Sequence, residues 1–305
     1  MIDTPTTDPL VSLAEIAEIE LFILKRMKEL TLGDHASVFR GHGFDFVGVR
    51  SWEPGDRLSS VDWAQSSLTN FSPLISREFE QDSNATVLAV ADASLSTRCG
   101  VGGAVVGTAI ARAVATLGLS AVLSQNLFGM IAFDDAFKAR ASAKPQIGKP
   151  HVLYCLDLYQ HRRRTEPTTA KSTLTGAITG HLRRTSLVAV LSDFLFSDAP
   201  DVLQELSKLH GIHDVFLILV DARFAYRLPS MADGWIQTVD VETGSTRLLS
   251  RRELGRVTER VEEWQNRIVR LAKDAGLDLV RVGLDRWEME ATLAALAVER
   301  RLRKI

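Results

Sequence analysis

A chain of 305 residues with 46% hydrophobic and 24% charged residues has a globular composition and enough length to bury a sizeable core. A formal net charge of −2 argues against a nucleic-acid partner, because nucleic-acid binders carry a basic excess. The two cysteines, Cys99 and Cys155, form no C-x-x-C pair, which argues against a disulfide scaffold or structural zinc and fits a reducing compartment.

The N-terminal MIDTPTTDPL is polar and acidic and lacks the basic and apolar regions of a signal peptide, so a cytoplasmic location is expected. Residues 11–30 set Leu13, Ile16, Ile19, Phe22, Leu24 and Met27 at three-to-four spacing, which predicts an amphipathic helix. Between 33 and 85, Gly33, Gly41, Gly43, Gly48, Pro54, Gly55 and Pro73 punctuate short β-like pieces, predicting hairpins and loops. Glu53-Pro54-Gly55-Asp56 reads as a turn, with Pro fixing φ at the second position and Gly permitting positive φ at the third. Trp52 and Trp63 flank it and are expected to cluster, and Arg50 to pair with Asp56 or Asp62. Direct contact with a partner is the other role open to this segment.

From Thr86 the pattern becomes regular. TVLAVA ends at Asp92, and a helix is predicted over 102–124. LFGMIAF (127–133) reads as a strand, 149–160 as a helix leading to the loop HRRRTEPTTAK, and 174–184 as a helix. SLVAVLS runs to Asp193, a helix covers 199–210, and DVFLILVD (214–221) follows. WIQTVDVETGSTRLL reads as a hairpin around Glu242-Thr243-Gly244. An amphipathic helix over 250–275, the strand LDLVRV and a helix over 286–301 complete the chain. Apolar strands alternating with helices predict an α/β fold, a mostly parallel sheet covered on both faces. The change near residue 85 divides an N-terminal helix and β/loop subdomain (1–85) from the sheet domain (86–305). Val101 to Leu123 has the length of a membrane span. Arg112 in its middle would cost about 2.5–3.5 kcal/mol in lipid, so a buried core helix and no transmembrane segment are expected.

Asp92 ends the first apolar strand, with Ser94 and Ser96 at alternate positions after it. In an open α/β sheet, ligands bind beyond the carboxyl ends of the strands, where the strand order reverses. Carboxylate and hydroxyl oxygens are hard ligands that suit Mg²⁺, and also Mn²⁺ or Ca²⁺. Asp193 stands in the same position relative to a second strand, and Ser172 or Thr173 could add a hydroxyl. An ion held by few carboxylates favours one from a partner as its last ligand. The triplet alone is weak, because Ser and Asp also serve as caps and turn residues.

Gly100-Val101-Gly102-Gly103 does not fit a dinucleotide loop, because Val105 occupies the third glycine site. Neither H-E-x-x-H nor G-x-S-x-G occurs. A non-catalytic role is therefore expected. The alternative is a metal-dependent hydrolase or phosphotransferase that uses the same ion as a Lewis acid.

Residues 40–82, RGHGFDFVGVRSWEPGDRLSSVDWAQSSLTNFSPLISREFEQD, resemble the signature of the bacterial family known as domain of unknown function 58. Gly48, Arg50, Trp52, Pro54, Gly55, Asp56, Asp62, Trp63 and Glu78 stand at signature positions, and Asp240-Val241-Glu242-Thr243-Gly244 resembles its D-x-E-T-G hairpin. Arg57, Ser59 and Thr97 depart from its usual residues, and Ser172 stands where a Thr is usual. The resemblance implies a von Willebrand factor A-like domain with a metal-ion-dependent adhesion site. It also implies association with a MoxR-type AAA+ ATPase and a chaperone-like role in maturing other proteins.

Overall fold

The computed structural model describes residues 9–32, 45–53, 61–80, 85–101, 104–134, 139–164, 173–226, 235–239, 245–285, 288–293 and 295–296. The chain divides into two compact units, Met27–Asn84 and the combination of Met1–Arg26 with Ala85–Ile305.

Helix α1 (Leu13–Leu32) begins in the larger unit. Ile16, Ile19 and Ile23 recur on one face and are buried. Glu15 pairs with Arg112 at 2.7 Å and Glu20 with Lys149. The sequence grouped this helix with the β/loop segment; its first half packs instead in the sheet unit, because its isoleucine face needs an apolar surface there.

In the smaller unit, β1 (Asp45–Ser51) and β2 (Ile75–Glu80) pair antiparallel, with the short helix α2 (Trp63–Leu68) between them in sequence. Asp62 caps α2, its Oδ1 accepting from the Ala64 and Gln65 amides at 3.1 Å each. Arg50 Nη1 donates to the carbonyl of its neighbour Ser51. Trp63 is 58% exposed, and among the described residues no ring contact joins it to the half-buried Trp52. The expected tryptophan cluster is therefore absent: as the first residue of α2, Trp63 projects outward. Pro54, Gly55 and Asp56 lie outside the described residues.

The larger unit is built on β3 (Thr86–Asp92), β6 (Leu127–Phe133), β7 (Ala139–Gln146), β8 (Leu187–Ser192), β9 (Asp214–Val220) and β12 (Asp278–Val282). Between β3 and β6 come the two-residue strands β4 (Gly100–Val101) and β5 (Ala104–Val105) and the helix α3 (Val106–Leu123). Helices α4 (Lys149–Arg164), α5 (Leu174–His181), α6 (Ala199–His210) and α7 (Arg251–Asp274) follow in turn, with the hairpin β10 (Trp235–Val239) and β11 (Thr246–Ser250) just before α7.

The six strands lie in the order β12-β9-β8-β3-β6-β7, all parallel except β7. This is the predicted α/β architecture. The antiparallel edge strand β7 is unforeseen: ARASAKPQ is polar and holds Pro145, which a sheet tolerates at an edge. Leu88, Val90, Val188, Val190, Leu217 and Leu219 point to one face and form a core with Ile178 of α5, Leu203 of α6 and Ile268 of α7.

Helix α3 packs against β3, β6 and α4 on the sheet. Its mean hydropathy is 1.7 over 18 residues, and 78% of that window is buried, so its apolar composition is that of a core helix. Gly118 permits the approach of α4, since a Cβ there would lie 2.7 Å from Val152 Cγ1.

Candidate metal centre

From β3 the chain crosses to β6 on one side, and later β8 enters on the other side of β3. The strand order therefore reverses between β3 and β8, the position at which open sheets leave a crevice beyond the carboxyl ends. Asp92 is the last residue of β3 and Asp193 the first after β8. Both are buried completely.

The loop after β3 folds around Asp92. Its Oδ1 accepts the Ser94 amide at 2.8 Å, and the Thr97 hydroxyl fixes the Ser94 carbonyl at 2.7 Å. Ser94 Oγ and Ser96 Oγ lie 3.0 Å apart, and Ser96 Oγ lies 3.4 Å from Asp193 Oδ1. The two hydroxyls thus form a chain that reaches Asp193, while Ser94 is tied to Asp92 through its amide. The sequence assigned Asp92, Ser94, Ser96 and Asp193 to one site, and these four side chains converge.

The loop after β8 is held just as closely. Ser192 Oγ donates to Asp92 Oδ2 and accepts the Phe194 amide at 2.8 Å. Asp193 Oδ1 accepts the Leu195 amide at 3.1 Å. Phe194 has φ of 53°, a left-handed conformation that costs a bulky residue on the order of 1–3 kcal/mol. Trp264 Nε1 on α7 donates to the Phe194 carbonyl at 2.7 Å. Gln265 Nε2 donates to the carbonyls of Asp193 and Val220, at 3.0 and 2.8 Å. From the other side of the crevice, Tyr159 on α4 donates to the Asp92 carbonyl at 2.7 Å. Sequence reasoning missed Ser192, Tyr159, Trp264 and Gln265. Only Ser192 carried a signal, as a hydroxyl beside the strand-ending aspartate.

Thr173 is exposed and caps α5, accepting the Gly176 amide at 3.2 Å. No hydrogen bond among the described residues joins it to Asp92 or Asp193, so its hydroxyl is directed to the helix and not to the crevice. Ser172 lies outside the described residues.

Four neighbouring strands each end in an aspartate: Asp221 after β9, Asp193 after β8, Asp92 on β3 and Asp134 after β6. The outer two carry arginine partners. Arg223 makes several hydrogen bonds to Asp221, and Arg281 Nε lies 3.9 Å from it. Burial works to raise the Asp221 carboxyl, but the Arg223 hydrogen bonds and the Arg223 and Arg281 charges outweigh it and hold it below its usual range. Arg140 pairs with Asp134 at 3.2 Å.

Asp193 has no such cation among the described residues. Its Oδ2 is buried and receives no hydrogen bond. Burial, and then the charge of Asp92, push its carboxyl up to about 7, against the Leu195 amide and Ser96 hydroxyl that favour ionisation. Among the described residues no three His, Cys, Asp or Glu side chains gather around one point. A cation at this edge would therefore have two carboxylates and two hydroxyls, an all-oxygen set of the kind Mg²⁺, Mn²⁺ and Ca²⁺ accept.

The sequence matches a family described as protein of unknown function DUF58 over residues 48–266. No curated protein matches it. Among solved structures, it is similar to a conserved hypothetical protein, BatB, from Bacteroides thetaiotaomicron, at 15% identity and a TM-score of 0.39, covering 71% of this chain and 100% of that one. An aerotolerance-related membrane protein from Bacteroides fragilis is similar at 10% identity and 0.39, with 71% and 100% covered. The pilus adhesin SpaC from Lactobacillus rhamnosus GG is similar at 11% identity and 0.39, with 72% of this chain and 31% of that one covered.

Proposed function

The chain belongs to the family described as protein of unknown function DUF58, and from that membership and the edge geometry we propose that it is a non-catalytic interaction protein whose bound divalent cation grips a partner. Mg²⁺ is the first choice of ion, with Mn²⁺ or Ca²⁺ next. Asp92, Ser94, Ser96 and Asp193 hold it, and Ser172 is the further candidate from the loop before α5. The observation that carries this reading is Asp193 Oδ2, buried beside a second carboxylate and given no donor. Such a pair is costly to bury unless a positive charge compensates it. A cation supplies that charge and leaves a corner for a carboxylate from outside.

The remaining residues position this set. Ser192 orients Asp92, while Trp264 and Gln265 fix the carbonyls of the Asp193 loop. In this reading the domain is von Willebrand factor A-like and cytoplasmic. Its partner is a MoxR-type AAA+ ATPase or a client of that ATPase, in the maturation or assembly of other proteins. Titration calorimetry with Mg²⁺ and Mn²⁺ tests the ion: one site is expected in the wild type and none in Asp193→Ala. Pull-down with the ATPase tests the partner: association is expected in Mg²⁺ and lost in chelator or in Asp92→Ala. Absence of ion binding by the wild type refutes the reading.

A further inference from the structure

The smaller unit carries an exposed apolar turn. Residues 63–76, from the start of α2 into β2, contain no charged side chain. Within them Trp63, Leu68 and Phe71 are 58%, 81% and 54% exposed. The helical period sets Trp63 and Leu68 on the solvent side of α2, away from the buried Asp62 and Ser66. The chain then folds back over the end of α2, and the Phe71 amide donates to the Ser66 carbonyl at 2.8 Å.

Phe71 stands there against its own backbone preference. Its φ is 59°, beside Asn70 at 52°. Asn tolerates the left-handed region, whereas a bulky aromatic is strained in it and glycine is not. The ring is largely in solvent, so burial does not offset the strain. Stability of the turn therefore does not account for an aromatic side chain at this position.

The polar groups of the turn are spent internally. The amides of Thr69, Asn70 and Ser72 donate to the carbonyls of Ser66, Ser67 and Thr69. Ser67 Oγ donates to the Ala64 carbonyl at 2.7 Å, and Thr69 Oγ1 lies 2.9 and 2.8 Å from the Ser66 and Pro73 carbonyls. Ser66 Oγ accepts the Ile75 amide at 2.8 Å. What faces outward is three large apolar side chains among uncharged polar ones, Gln65, Asn70 and Ser72. A protein interface draws on directional hydrogen bonds, about one per 100–200 Å². A lipid surface has the opposite requirement: backbone groups already satisfied, no charge to desolvate, and aromatic rings for the headgroup level.

We propose that this turn inserts Trp63, Leu68 and Phe71 into the interfacial region of a lipid bilayer and so holds the protein reversibly at a membrane surface. So few apolar side chains make a weak attachment, as a single acyl chain does. The attachment is independent of the ion at the sheet edge.

Flotation of the full chain with phosphatidylcholine vesicles, in chelator, is the test. The wild type is expected to float at about 1 mM lipid. The partition coefficient is expected to fall at least about tenfold in Leu68→Ser/Phe71→Ser, with unchanged circular dichroism. Phe71→Gly separates insertion from folding. Glycine accepts the left-handed backbone, so this variant should float less while its thermal midpoint does not fall. Absence of wild-type flotation overturns the proposal and leaves the groove of a partner protein as the occupant of the turn. Undiminished flotation of both variants overturns it as well. So does flotation that needs added phosphatidylglycerol and disappears in high salt, since that is attachment by charge and not by these side chains.

Discussion

Burial beside Asp92 gives Asp193 a pH dependence of its own, opposite in sign to that of the arginine-paired Asp221. The Asp193 carboxyl is raised in the fold, so the protonated form is the one the folded state prefers. Without a divalent ion, its contribution to stability is full below the ordinary aspartate range near about pH 4 and is lost as the pH rises through about 7. The slope between those limits approaches about 1.4 kcal/mol per pH unit for one proton. Urea unfolding in chelator should therefore show the wild type losing stability across that window relative to Asp193→Asn. A stability difference that does not change with pH would show that this carboxyl is compensated in some other way. Ser192 acts through its neighbours, donating to Asp92 and accepting the Phe194 amide. Ser192→Ala leaves both groups buried without that hydroxyl. The loss expected by chemical denaturation is about 1–3 kcal/mol.

At the scale of elements, α7 is the clamp on the Asp193 loop. Trp264→Phe keeps an aromatic side chain, smaller than the indole, and removes the N–H that meets the Phe194 carbonyl. About 1 kcal/mol of stability should go with it, and amide exchange at Leu195 should speed up while exchange in the middle of β8 does not. A uniform change across the sheet would mean that Trp264 serves general packing and not the loop.

The elements of this clamp were only partly legible in the sequence. The helix predicted over 199–210 is α6, because its buried Val202, Leu203, Leu206 and Leu209 follow a helical period between polar ends. The short strands ending at Asp92 and Asp193 were equally plain, as apolar runs closed by an acid. Edge strand β7 was missed because its residues are half-exposed and polar, and α4 extends to Arg164 where a loop was expected from His161. In the crevice, Asp92, Ser94, Ser96 and Asp193 could be found from strand ends and alternate spacing. Trp264 and Gln265 could not, because their bonds join residues 70 and 72 positions apart and no local pattern marks them.

Across the whole molecule, four aspartates line one edge of the sheet, and the fold treats them unequally. The outer carboxylates, Asp134 and Asp221, are matched to Arg140 and to Arg223 with Arg281. The central Asp193 is not matched to any cation among the described residues, at the point where the topology opens a crevice. In the proposed reading, the divalent cation supplies at the middle of the edge the charge that guanidinium groups supply at its flanks. A cation that binds there meets the native state and not the unfolded chain, so on the proposed reading it would stabilise the protein by mass action. At a hundredfold excess over its dissociation constant the gain is about 2.7 kcal/mol. For a domain of this size each kcal/mol moves the midpoint of thermal unfolding by about 2–4 °C. Calorimetric scans at fixed pH should thus show saturating Mg²⁺ raising the wild-type midpoint by roughly 5–10 °C over chelator. Asp92→Ala should show no rise, because one of the two carboxylates that favour the ion is gone. An equal rise in that variant would place the ion elsewhere on the surface, and the central pair would then need another source of compensation.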